Sequence, residues 1–225
     1  MRLTERSPPR LLSSTENSHE FNAVAAAGLC ADGKDIMSDL NTTLFNLVAA
    51  GFEPHPILLV LAVALASGGV WVGVAIVIRA WWRPAGMRVH IVWTLAVAAL
   101  AAMAAHAIAA ALNLPRPFML GLSPEYISHG ARGSLPSTHA TVMSAIALMF
   151  LLRRPLRPAG IAMALVAGIT GWARVYVGVH FPVDIAAGII LAAGITGLFF
   201  ASAVVLRRLR ASQSARRSAA ILRTP

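Results

Sequence analysis

The sequence predicts an all-α fold, a polytopic membrane helix bundle of about five transmembrane helices with an N-terminal interfacial amphipathic helix. Two observations carry that reading. Of 225 residues, 57% are hydrophobic and only 12% charged, against about 25% charged in soluble domains. The apolar residues also fall in long runs, each near the ~20 residues that one span requires.

Residues 1–36 are polar and mixed in charge, and no apolar run follows the early arginines. They form no secretory signal peptide and read as a disordered tail. Met37 opens a segment of different character and is a candidate start, which would make residues 1–36 an over-extended reading frame rather than a native tail. From there Leu40, Leu44, Leu47 and Val48 recur at helical spacing, as in a short helix lying on a membrane surface. Asp39 or Asn41 is placed to cap it.

Five spans follow, at 57–79, 90–112, 138–152, 159–177 and 184–206. The third is short and begins inside a polar motif. Glycine and alanine are frequent in the second, fourth and fifth, which suits close helix packing in lipid. Residues 37–206 thus form one membrane domain, and 207–225 a basic cytoplasmic tail expected to fray.

Basic residues set the orientation. Arg79, Arg83 and Arg88 lie between the first two spans, and Arg153, Arg154 and Arg157 between the third and fourth. Arg207, Arg208, Arg210, Arg216, Arg217 and Arg223 follow the fifth. With five spans all three clusters share one side, and the positive-inside rule makes it cytoplasmic. The net charge of +10 therefore reads as topology, and no nucleic-acid partner is expected. The loops at 113–137 and 178–183 face outward. A single cysteine, Cys30, excludes an internal disulfide framework and a thiolate metal site.

The outward loops hold the unusual polar residues. His180 and Asp184 are four apart across Pro182, a spacing at which the carboxylate meets the imidazole. A carboxylate on one ring nitrogen fixes the tautomer and leaves the other nitrogen free as nucleophile or base. Arg174, at the end of a span, would cost roughly 2.5–3.5 kcal/mol if it stood at the centre of the membrane, which is understandable if it faces a polar cavity. Its planar fork suits phosphate oxygens. Ser137, Thr138 and His139 follow Pro136 at a helix start, a natural anion site, with His139 placed to give or take a proton. His55, His90 and His106 read as ordinary interfacial or span residues, although His106, inside the second span, could face the cavity.

Together, Arg116–Pro117, then Pro136–Ser137–Thr138–His139, then Arg174, His180 and Asp184 resemble the three motifs of the type 2 phosphatidic acid phosphatase superfamily. WARVYVGVHFPVD, SLPSTHAT and LNTTLFNLVAAG look more closely like its bacitracin-resistance branch, the undecaprenyl-diphosphate phosphatases that recycle the cell-wall lipid carrier. The resemblance implies that His180 attacks phosphorus to form a phosphohistidine, with Asp184 orienting it. It implies that His139 protonates the leaving group and then activates water. Arg116 and Arg174 would hold phosphate oxygens, helped by Ser137 and the backbone at Thr138. No metal and no cofactor is expected. The expected partners are a polyprenyl diphosphate and membrane lipids, in a bacterial inner membrane with the site facing the periplasm or cell exterior.

The family's first motif carries a lysine seven residues before the arginine, where this chain has Ala109. Asn113 is the nearest polar substitute. Arg132 is either a replacement charge or a solvated loop arginine. Two other readings stay open. One is a phosphatase or phosphotransferase for phosphatidylglycerol phosphate, phosphatidic acid or lipid A. The other is a small transporter, which would distribute polar groups across the membrane depth and show inverted repeats.

Overall fold

The computed structural model describes residues 39–130 and 133–221, apart from the side chains of Ala85 and 214–221. The expectations placed on residues 1–36, Met37, Arg132 and Arg223 lie outside the described residues. The chain forms two units, Met1–Thr43 and Leu44–Pro225. Of the first, residues 39–43 are described, and they are helical.

Residues 39–48 form α1. Asp39 is the first described residue of this helical run and Asn41 the third, and Leu40, Leu44 and Leu47 are exposed. Phe45 is buried edge-on against Phe181, with ring centroids 5.4 Å apart. Five further helices follow: α2 (Pro56–Trp81), α3 (Arg88–Leu112), α4 (Thr138–Leu151), α5 (Arg157–Tyr176) and α6 (Pro182–Ile221). The first four agree closely with the spans expected there, α6 starts where the fifth was expected, and the described residues contain no strand.

Helices long and apolar enough to cross a bilayer number four among the described residues, and α4 is the exception. At 1.5 Å per residue its 14 residues cover about 21 Å, short of the ~30 Å hydrocarbon layer. It is also the inner helix of the bundle, packed by α3, α5 and α6. That explains its burial, with nine of its residues buried. The outer helices turn Val, Ile, Leu and Trp outward instead, as at Trp71, Ile190 and Leu198. In water such an apolar surface would be a liability, whereas toward lipid it is the solvated face. The chain is a multi-pass membrane protein.

Small residues permit the close approaches. A side chain on Gly188 of α6 would come within 2.8 Å of Ser137 O and 2.9 Å of Thr141 Oγ1 on α4. One on Gly69 of α2 would collide with Thr170 of α5. The main-chain N–H of Ser137 donates to Asp184 O at 3.0 Å, tying the starts of α4 and α6 together. At the opposite end His90 Nε2–H donates to Met149 O (2.8 Å), and Arg153 Nε–H donates to His90 Nδ1 (3.4 Å).

The C-terminal segment differs from expectation. Rather than fraying after residue 206, the chain stays helical to Ile221, giving α6 40 residues and a length of about 60 Å. Arginine and alanine are good helix formers, so the composition of this segment lets the helix run on.

Candidate active site

The C-terminal ends of α3 and α5 and the N-terminal ends of α4 and α6 meet at one end of the bundle around a cavity of about 1050 Å³. His106, Ala109, Asn113, Arg116, His129, Thr138, His139, Arg174 and His180 are among the residues that line it.

Local chemistry delivers each group. Helix α3 stops at Asn113, which adopts the left-handed conformation (φ 42°, ψ 39°) while its N–H still reaches Ala109 O at 2.9 Å. Pro115 follows, and the chain turns through Arg116 into a short 3₁₀ segment, Pro117–Leu120. Helix α5 ends comparably at Gly178 (φ 75°), where a side chain would collide with Ser123. Glycine alone suits both the backbone angle and the contact. The turn is closed by Val179 N–H and His180 N–H donating to Arg174 O at 3.1 and 3.3 Å. It thereby fixes Arg174 and His180 relative to each other.

His180 is buried, as are Arg116, Arg174 and Asp184. Its Nδ1–H donates to Asp184 Oδ2 at 3.3 Å. The same oxygen accepts the Phe181 N–H at 2.8 Å and the Ser134 hydroxyl. Asp184 sits at the third position of α6 and reaches back to the residue that precedes the helix, as in half of a capping box. It thus serves helix initiation and imidazole orientation with one oxygen. Arg116 Nη1–H points at His180 Nε2 from 3.2 Å and donates to Val179 O at 2.9 Å. A carboxylate only accepts, so Nδ1 carries the proton that Asp184 takes and Nε2 keeps the lone pair. Burial brings His180 down to about 4, with Arg174 and Arg116 adding to the effect against the hydrogen bond to Asp184. At neutral pH the imidazole is uncharged and nucleophilic at Nε2.

Arg174 Nη1–H donates to Ala66 O of α2 at 3.3 Å. Its Nε is buried without a hydrogen-bond partner among the described residues. That leaves a cationic donor unsatisfied in a low-dielectric site, a costly arrangement unless a ligand completes it. His139 lies on the first turn of α4 and faces the cavity with Thr138.

The structure therefore brings together Arg116, Thr138, His139, Arg174, His180 and Asp184. Ser137 is placed differently. It is fully buried, does not line the cavity, and its hydroxyl lacks a partner among the described residues. Its main chain nonetheless links α4 to α6. Arg132 lies outside the described residues. Asn113 does line the cavity, and so does Ala109, against whose carbonyl Gly133 packs so closely that a side chain there would collide. His106, read as an ordinary span residue, is also in the lining.

Two site residues were missed in sequence. His129 accepts a hydrogen bond at Nε2 from Arg174 Nη2 (3.3 Å), and its ring lies 6.3 Å from that of His180. Ser134 supplies a hydroxyl to Asp184. Both sit in the loop between α3 and α4, and neither matches a spaced motif. The available signal was that loop's density of polar groups.

The profile of the PAP2 superfamily matches residues 90–208. YbjG of Escherichia coli (strain K12), provisionally named an undecaprenyl-diphosphatase, is 28% identical over 170 residues, 75% of this chain and 84% of that protein. The undecaprenyl-diphosphatase BcrC of Bacillus subtilis (strain 168) is 37% identical over 93 residues, 41% of this chain and 47% of that one. Among solved structures, a transmembrane PAP2-type phosphatidylglycerolphosphate phosphatase from Bacillus subtilis superposes with a TM-score of 0.55 at 18% identity. It covers 76% of this chain and 87% of its own. LpxE from Aquifex aeolicus gives 0.55 at 22% identity, covering 71% and 93%. With more than half of its length matched, motif residues included, the chain belongs to the PAP2 superfamily.

Proposed function

We propose that the protein is a lipid phosphatase that hydrolyses undecaprenyl diphosphate to the monophosphate at the outer leaflet of a bacterial inner membrane. One observation carries the chemistry. His180 presents an unprotonated Nε2 to a cavity that also holds Arg116, Arg174 and His139, while Asp184 holds its Nδ1–H. The similarity to two proteins named undecaprenyl-diphosphatases supports the substrate.

In the first step His180 Nε2 attacks the terminal phosphorus. The bond to the bridging oxygen breaks, and His139 passes a proton drawn from solvent to the departing lipid phosphate. Arg116 and Arg174 take up the charge on the non-bridging oxygens, as phosphoryl transfer demands. In the second step His139 removes a proton from water, which attacks the phosphohistidine and releases inorganic phosphate. His180 returns to its starting state. The arginines and the start of α4 supply the positive potential, so the scheme needs no metal.

A second reading is another lipid phosphate such as phosphatidylglycerol phosphate, the substrate in the name of one fold neighbour, or phosphatidic acid or lipid A. Phosphate release from undecaprenyl diphosphate by purified protein, measured beside these lipids and a His180→Ala control, separates the two. The proposal expects the polyprenyl diphosphate to be turned over fastest. Turnover of it no greater than in the control would sink the reading. Orientation is tested with Ile127→Cys in a Cys30→Ala background and a membrane-impermeant thiol reagent. Labelling from outside is expected, and protection from outside would reverse the topology.

A further inference from the structure

His129 has no part in the two steps just described, yet it stands inside the site. It lines the cavity, accepts from Arg174 Nη2 at 3.3 Å, and lies edge-on to His180 with centroids 6.3 Å apart. Its main-chain N–H is anchored at 2.8 Å by Glu125 Oε1 of its own loop. Arginine only donates, so Nε2 of His129 is an acceptor and the ring proton resides on Nδ1.

Charge shows what such a group can do. The unliganded site sets two guanidinium groups, Arg116 and Arg174, against one carboxylate, Asp184. That leaves one net positive charge among them. A terminal phosphate brings about two negative charges at neutral pH. His180 is committed as nucleophile and His139 as proton carrier, so neither can serve as a fixed cation. The groups facing His129 are Arg174 from α5, Arg116 beyond α3, His180 from the α5–α6 turn, His139 from α4 and His106 from α3. Burial, then the charges of Arg174 and Arg116, hold it down to about 4. It is thus neutral while the site is empty. An oxyanion reverses the sign of that surrounding field.

We infer that His129 is the inducible cation of the phosphate site. When a tetrahedral oxyanion enters, Arg174 Nη2 redirects its hydrogen bond to the ligand, and the freed Nε2 of His129 takes a proton from solvent. The resulting imidazolium is a third positive group beside the oxyanion. Substrate binding is thereby coupled to uptake of one proton, and departure of inorganic phosphate to its release. The inference rests on the phosphoryl-transfer reading of the site and is independent of which lipid is the substrate.

Tungstate, a tetrahedral dianion that does not itself change charge near neutrality, is the probe. Its binding to the full-length protein in detergent is followed by calorimetry in buffers of different ionisation enthalpy, which counts protons taken up per anion bound. Wild type is expected to take up about one proton more than His129→Gln, which keeps an acceptor for Arg174 but cannot be protonated. Its affinity should also weaken about tenfold per pH unit between about pH 6 and 8. His129→Lys, permanently charged, should bind with less than about twofold variation over that range, which covers the case in which the glutamine variant fails to fold. Absence of proton uptake in wild type overturns the inference, as does equal uptake in His129→Gln or a retained steep pH dependence in His129→Lys. Failure of wild type to bind tungstate at all overturns the phosphate-site reading as well.

Discussion

Ser134 and Asp184 lie fifty residues apart, yet the serine hydroxyl donates to the same Oδ2 that holds the Nδ1–H of His180. The contact exists because the returning loop is pressed against α3. Gly133 packs on Ala109 O, and Ser134 N–H donates to Leu114 O at 2.9 Å. Removing the hydroxyl should loosen the carboxylate without touching substrate. A hydrogen bond to a charged group is worth about 1.5–3 kcal/mol, and part of that is recovered by the remaining donor, Phe181 N–H. Ser134→Ala is therefore expected to lower kcat about tenfold with KM nearly unchanged, measured by phosphate release. Ser134→Thr should retain activity.

His139 is expected to act in both steps, and the choice of leaving group separates them. With the lipid substrate His139→Ala should lose about 10²–10⁴ in rate, the usual contribution of a positioned acid or base. An aryl phosphate with a good leaving group needs no acid in the first step. It should therefore phosphorylate His180 in this variant, and the adduct should persist for want of a base. Mass spectrometry of acid-sparing digests reads this directly. No adduct in His139→Ala under rapid quench would contradict the division of labour.

Arg174→Lys tests whether the guanidinium is used as a fork. Arg174 spans from Ala66 O to His129 Nε2 with Nε left over, and lysine cannot reproduce three directions at once. A rise in KM and a fall in kcat of together about 10²-fold in kcat/KM are expected, of the order of one or two charge-assisted hydrogen bonds. A variant within threefold of wild type would show that charge alone suffices.

Stability should fall on acidification. His180 is held at about 4 in the folded chain against an ordinary 6.5. Between those values the unfolded chain binds more protons, so folding weakens as pH drops from about 6.5 to about 4 and levels off below. The same sign applies to His129. The thermal midpoint in detergent should decline over that window, and His180→Gln should flatten the decline.

Gly188→Ala probes the contact that ties α6 to α4. Its methyl would meet Ser137 O and Thr141 Oγ1 inside ordinary contact distance, and overpacking of this kind costs about 1–3 kcal/mol. A lowered thermal midpoint together with lost activity is expected, because Asp184 rides on the displaced turn. Gly194→Ala, one helix face away with open space around it, should be neutral.

The helix bodies and motif residues were readable because each signal is local. Apolar runs give the spans, proline and glycine mark the turns at 178 and 182, and i,i+4 spacing pairs His180 with Asp184. His129 and Ser134 were not readable, because their roles arise only when the loop between α3 and α4 folds back on α3. Ser137 matched its motif by type, yet the structure spends its main chain on α6 and buries its hydroxyl. The run of α6 past the span was missed because an arginine-rich end looks the same whether helical or frayed.

The brevity of α4 has a further consequence. If its arginine-flanked end sits at the cytoplasmic boundary, about 21 Å of helix leaves His139 and the cavity roughly 9 Å beneath the opposite edge of a ~30 Å layer. The reacting phosphate must then sink below the plane of its neighbours, and the depth of that descent depends on how thick the surrounding membrane is. In nanodiscs of graded acyl length, turnover should peak in short-chain lipid and decline as chains lengthen. The bilayer itself would then act as a ruler for which headgroups arrive.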